Sequence, residues 1–141
     1  MSSVGNPVVS SASRPPQSLL AFDFGTRRIG VATGNAFMKS AEPIKSIALE
    51  GEARFVAIAH LIKEWQPDAL VIGVPFHPDG AEHQMTAAAR RFGRQLKSRF
   101  RLLVFEVDER YTSVEAESLG ARDIDAASAA LILEQYFREH P

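Results

Sequence analysis

The chain contains no cysteine among its 141 residues, which excludes both a disulfide framework and a thiolate metal site. Nothing ties it to an oxidising compartment, so a cytoplasmic address is the expectation. No apolar run approaches the ~18 residues of a membrane-spanning helix. Residues 1–17, MSSVGNPVVSSASRPPQ, also lack the basic start and continuous apolar segment of a signal peptide. They read as a flexible Ser/Pro-rich tail before a single domain at 18–141, with no membrane partner. A charge surplus is missing too, because 16 Lys and Arg stand against 17 Asp and Glu. A surface that attracts polyanions everywhere is thereby excluded, and any such site must be a local patch.

What is present is an ordinary globular composition, 45% hydrophobic and 23% charged. A domain of this size buries about 68–70% of the surface its unfolded chain exposes, enough for a conventional core. Leu19 to Phe24 (LLAFDF) is an almost wholly apolar run ending at Gly25, the profile of a central strand buried on both faces. After a tight turn, Ile29 to Thr33 and then Pro43 to Ile47 predict two further strands, giving a hairpin and a meander. Phe55, Ile58, Ile62 and Trp65 fall at helical spacing over Glu52 to Trp65, and Pro67 closes that helix before the strand Ala69 to Val74. A helix over about Ala81 to Ser98, with the stripe Met85, Ala89, Phe92 and Leu96, leads to the strand Leu102 to Val107. Short helices are expected from about Ser113 and from Ile124 to Arg138. The order predicts an α/β domain, its mixed five-stranded sheet an antiparallel meander followed by parallel crossovers, flanked by helices.

Asp23 is the one ionisable residue inside the apolar first strand. A carboxylate there is costly to desolvate unless it is paired or ligates a metal, or unless it simply closes the following turn. Asp125 shares a helix face with Ala129, Ile132 and Tyr136 and so points inward, while Asp123 stands where an N-cap belongs. Ala126, Ala127, Ala129 and Ala130 let this helix lie close against the sheet, bringing Asp125 within reach of Asp23. Two such carboxylates repel unless a cation or shared proton intervenes. Hard oxygen ligands without thiolate or imidazole suit Mg²⁺ or Mn²⁺. A third acid comes from Glu106-Val-Asp-Glu-Arg110, where strand alternation puts Glu109 on the core-facing side with Leu103, Phe105 and Val107, and so favours it over Asp108. The histidines His60, His77, His83 and His140 show no ligand spacing and read as surface or core residues.

Four segments, Asp23-Phe-Gly-Thr-Arg-Arg-Ile-Gly-Val-Ala, Gly73-Val-Pro-Phe-His-Pro-Asp-Gly80, Asp108-Glu-Arg-Tyr-Thr-Ser-Val-Glu-Ala-Glu117 and Ile124-Asp-Ala-Ala-Ser-Ala-Ala-Leu-Ile-Leu133, occur in the order of the YqgF (RuvX) family, which the chain resembles over nearly everything after the tail. The resemblance implies an RNase H-like fold and a nuclease, in a family described both as resolving Holliday junctions and as maturing the 5′ end of pre-16S ribosomal RNA. Its acidic positions fall on Asp23, Glu109 and Asp125. Where family members usually carry a longer Lys/Arg-rich segment before the final acid, this chain has Leu119-Gly-Ala-Arg-Asp123.

The partner expected is therefore nucleic acid, pre-rRNA or branched DNA, cut by a monomer or homodimer using two ions about 3.5–4 Å apart. Gly25 lets a phosphate approach, Thr26 and Thr112 offer hydroxyls, and Arg27, Arg28 and Arg110 neighbour the proposed ligands and suit bidentate phosphate contacts. Arg90, Arg94, Lys97 and Arg101 recur at helical spacing and predict an exposed positive band. One alternative is a non-catalytic nucleic-acid-binding or ribosome-assembly factor, which the short basic segment favours. Another is an actin-like phosphotransferase or ATPase, suggested by Asp23-Phe-Gly-Thr26. Size argues against the latter, and Val31-Ala32 stands where a Walker P-loop needs Lys and Ser or Thr.

Overall fold

A computed structural model describes residues 15–112 and 123–141. The tail proper and the helix expected from Ser113 lie outside the described residues. The elements run β1 (Ser18–Phe24), β2 (Ile29–Asn35), β3 (Ser40–Ile47), α1 (Glu52–Trp65), β4 (Ala69–Val74), α2 (Gln84–Phe100), β5 (Leu103–Asp108), a 3-10 turn (Glu109–Tyr111) and α3 (Ile124–Glu139). The five strands form one sheet in the order β3-β2-β1-β4-β5, antiparallel across β1–β2 and β2–β3 and parallel across β1–β4 and β4–β5. This is the meander-then-crossover sheet expected from the sequence.

β1 and β4 are central and carry apolar residues on both faces, so each alternation places one side chain on each helix layer. On one face Leu20, Phe22, Ile29, Leu70 and Ile72 meet Phe55, Ile58 and Leu61 of α1 and Ala89, Phe92 and Leu96 of α2. Phe92 is the hub, its ring centroid 6.0 Å from Phe22, 4.8 Å from Phe24 and 6.0 Å from Phe55. On the other face Leu19, Ala21, Ala69, Val71 and Val107 meet Ile132, Leu133, Tyr136 and Phe137 of α3.

Two details depart from expectation. In α1 the third buried position is Leu61, whereas Trp65 stays 38% exposed. Spacing alone allows either, and Ile62 rather than Trp65 carries the packing into the last turn. In α2 the start is Gln84 rather than Ala81, because loop contacts claim the preceding residues: Asp79 Oδ1 accepts from the Ala81 amide at 2.9 Å, and the His77 amide donates to Ala81 O at 2.9 Å. His83 then caps the helix, its Nδ1 accepting from the Met85 amide at 3.0 Å while Thr86 Oγ1 accepts from the His83 amide at 2.7 Å. The buried Thr86 hydroxyl donates to Pro75 O at 2.5 Å, which ties the start of α2 to the end of β4.

Candidate active site

One row of residues crosses the sheet near the end of β1. Ser46 of β3 lies opposite Gly30 of β2, and Gly30 lies opposite Asp23 of β1. The parallel register, with Phe22 beside Ile72, carries the row on to Gly73 of β4, which pairs with Val107 of β5. Residues aligned this way project to the same face, here the face under α3. Asp23 therefore stands between two glycines whose missing side chains leave room above the sheet.

Both spaces are filled from above. A Cβ on Gly30 would come within 1.8 Å of the Asp125 carbonyl oxygen, so glycine is what lets the backbone of the first turn of α3 rest on β2. A Cβ on Gly73 would meet Ile132 Cδ1 of α3 first and would lie 2.9 Å from Glu109 Cγ and 3.0 Å from its Oε2, so Ile132 and Glu109 share the other gap. Ala126, Ala129 and Ala130, all buried, continue the close approach along α3. The three acids chosen from the sequence thus meet around Asp23.

Electrostatics follow the geometry. Burial, then the neighbouring charges of Glu109 and Asp125, push the Asp23 carboxyl from 3.8 up to about 7. Burial, then Asp108, also raises Glu109. Among the described residues no cation pairs with either. Asp125 differs, since Arg28 Nε lies 3.2 Å from its Oδ2 and Ser46 Oγ 3.4 Å from the same oxygen. Among the described residues no three His, Asp or Glu side chains already surround one point closely enough to hold an ion. The donor chemistry still fits a hard divalent cation, being carboxylate oxygen with two members lacking a counter-charge.

The two neighbouring acids are occupied elsewhere. Asp123 caps α3, accepting from the Ala126 amide at 3.0 Å and from Ser46 Oγ at 2.5 Å, so the capping role expected of it holds. Asp108 projects to the opposite face and binds Arg110, with Nη2 2.7 Å from Oδ2, an arrangement in which the Arg110 hydrogen bond holds the Asp108 carboxyl below its usual range. Strand alternation had reached Glu109 correctly although β5 ends at Asp108. The chain turns there into a 3-10 helix that keeps Glu109 on the α3 side.

The expected phosphate contacts divide. Thr26, Arg27 and Arg28 are exposed in the β1–β2 turn, where a Cβ on Gly25 would lie 2.6 Å from Arg28 O. Arg110 is held by Asp108 and lies over the Phe76 and Tyr111 rings at 5.6 and 5.4 Å. The Thr112 hydroxyl donates to Glu109 O at 2.9 Å and closes the turn. The band on α2 is not brought to the acids. Arg90 is spent on Glu106 at 3.3 Å and on the Phe76 ring at 5.3 Å. Arg94 and Lys97 are exposed on the layer opposite α3, about 15 Å and more down a helix that starts beside β4 and runs away from the site. Sequence reasoning passed over Ser46, whose only signal is a cross-strand register set 16 residues away. It also passed over the adjacency of His77 and His83, whose ring centroids are 4.9 Å apart.

Comparison with known proteins places this geometry. A chain from Albidiferax ferrireducens named "Putative pre-16S rRNA nuclease" is 60% identical over 133 residues, covering 94% of this chain and 84% of the relative. One of the same name from a Polaromonas species is 59% identical over 125 residues, covering 89% and 91%. Among solved structures, Thermus thermophilus RuvC, free and in complex with a Holliday junction substrate, superposes with a TM-score of 0.56 at 11% identity, covering 87% and 88% of this chain and 95% of RuvC. That likeness establishes the RNase H-like fold. The sequence profile described as "RuvX: Holliday junction resolvase" matches residues 17–139, and the chain belongs to that family.

Proposed function

We propose that the protein is a divalent-metal-dependent nuclease that hydrolyses phosphodiester bonds in structured nucleic acid, with the 5′ end of pre-16S rRNA as its first substrate. The observation that carries this reading is Asp23, flanked across one sheet row by Asp125 over Gly30 and Glu109 over Gly73, with its carboxyl pushed up to about 7. Half-buried acids set side by side, with the carboxyls of Asp23 and Glu109 raised by it, are a common mark of functional sites. The names borne by relatives at 59–60% identity agree with it, and branched DNA is the second substrate class because of the family description.

Asp23, Glu109 and Asp125 would supply the oxygen ligands. Mg²⁺ or Mn²⁺ in such a set supplies activation of the attacking water and neutralisation of phosphate charge. The chain's own contribution is positional. The sheet row fixes Asp23, the 3-10 turn fixes Glu109, and the Asp123 cap fixes the first turn of α3 that carries Asp125. Exposed Arg27 and Arg28 then approach the phosphate from the β1–β2 turn. Glu109 and Asp23 must be ionised to bind a cation, so activity should rise with pH towards neutrality.

The test is incubation with Mn²⁺ of a pre-16S rRNA fragment, a four-way DNA junction and an unstructured single strand, beside an Asp23→Asn/Glu109→Gln/Asp125→Asn protein. Metal-dependent cleavage of the rRNA fragment by the wild type alone is expected. A triple variant that cuts as well as wild type, or a wild type that cuts nothing, contradicts the proposal.

A further inference from the structure

Asp125 has a choice of sides. It lies above Gly30, with Asp23 next in the row in one direction and Ser46 in the other. Its carboxylate is turned to the Ser46 side, against Arg28 at 3.2 Å and Ser46 Oγ at 3.4 Å. The Ser46 hydroxyl is held on Asp123 by its shorter contact of 2.5 Å, so the guanidinium is the principal partner. Among the described residues Arg28 is thus the one cation paired with any of the three acids, and it serves the member farthest from Glu109.

We infer that Arg28 is an exchangeable counter-ion: it holds Asp125 aside until a divalent cation takes that carboxylate, and the released guanidinium then takes a phosphate of the nucleic acid. The inference rests on the reading of Asp23, Glu109 and Asp125 as cation ligands.

Three features fit an exchange. The Arg28 side chain is 66% exposed, and an exposed ion pair is weak enough to give up. One guanidinium offsets one unit of charge on one acid, whereas a dication among the three offsets two and attracts all of them, Asp23 included. A freed guanidinium on the β1–β2 turn presents the planar donor fork that suits phosphate, beside the acids that would act on it. Cation and substrate would then load together, and by linkage each would raise the affinity of the other by the same factor.

Two binding measurements on the full chain test this without relying on cleavage. Calorimetric titration with Mn²⁺ alone should show Arg28→Gln binding about tenfold tighter than wild type, as expected for removing a competing unit charge a few ångströms from a dication. Arg27→Gln removes the same charge one residue away from an arginine that does not touch Asp125, and should change affinity by less than about threefold. Equal gains at the two arginines reduce the effect to a general field and overturn the inference, as does unchanged or weaker binding at Arg28→Gln. In EDTA, with a labelled single-stranded oligonucleotide, Arg28→Gln should cost several-fold more affinity in an Asp125→Asn background than in wild type, because only there is the guanidinium free. An equal cost in both backgrounds overturns it. Cleavage with Mn²⁺ can persist while either result fails, so failure of this role and failure of the nuclease reading are distinguishable.

Discussion

The two faces of the sheet solve different problems with the same strands. Towards α1 and α2 the alternation presents Leu20, Phe22, Ile29, Leu70 and Ile72, large side chains that fill volume around Phe92. Towards α3 the same strands present Ala21, Gly30, Ala32, Gly34 and Gly73, and the facing helix answers with Ala126, Ala129 and Ala130. The first face maximises buried apolar surface. The second keeps an apolar core of its own around Val71, Leu133 and Tyr136 but opens a strip of small residues beside it, bringing two backbone segments close enough to set acids on either side of Asp23. Stability should therefore be shared between the faces, and function confined to one.

Gly30→Ala should be the most damaging substitution on the α3 face. Its Cβ would meet Asp125 O at 1.8 Å, and the clash is with backbone, so α3 has to move. Loss of Mn²⁺-dependent cleavage on the order of 10²–10³-fold is expected, the scale of misplacing one group that stabilises transition-state charge, with a stability cost of about 3 kcal/mol from overpacking. Phe92→Ala on the other face should cost about 3–5 kcal/mol in urea unfolding. Activity per folded molecule should stay within about threefold of wild type. Should Phe92→Ala abolish turnover of the folded fraction, the division between the faces is wrong.

Asp23 sharpens the comparison through pH. It binds its proton more tightly folded, at about 7, than unfolded, at 3.8. Its ionisation cost is therefore absent below about pH 4, grows as pH rises and is complete above about pH 7. Denaturant titrations should show wild type losing about 4 kcal/mol relative to Asp23→Asn between pH 4 and 8. Parallel pH profiles for the two proteins would contradict this placement. The smallest effect belongs to His83→Ala, which removes the α2 cap on the layer opposite α3. About 1 kcal/mol of stability is expected to go, with no change in Mn²⁺ affinity.

Much of this was readable in the sequence because it is local. The apolar runs LLAFDF and ALVIGV read as strands, the first of them central and buried on both faces, and helical spacing turned Asp125 inward beside Ala129 and Ile132. Glu109 was reached by the same parity, although the strand stops one residue short and a 3-10 turn completes the placement. What escaped depends on register between segments far apart in the chain. Ser46 matters only because a β-bulge-containing pairing sets it opposite Gly30. Gly30 and Gly73 read as ordinary strand glycines until α3 and Glu109 are seen above them. The basic band on α2 was legible as a band, yet periodicity does not say which layer a helix joins, and this one joins the layer away from the acids.

On the proposed function, Asp23, Glu109 and Asp125 act as a unit on one reaction centre. The direct measurement is the Mn²⁺-dependent cleavage rate of a pre-16S rRNA fragment by Asp23→Asn, Glu109→Gln and Asp125→Asn, singly and combined. Each single variant should lose nearly as much as the triple, because groups that work together are grossly non-additive. Losses that multiply independently, or one variant that retains the wild-type rate, would contradict the account.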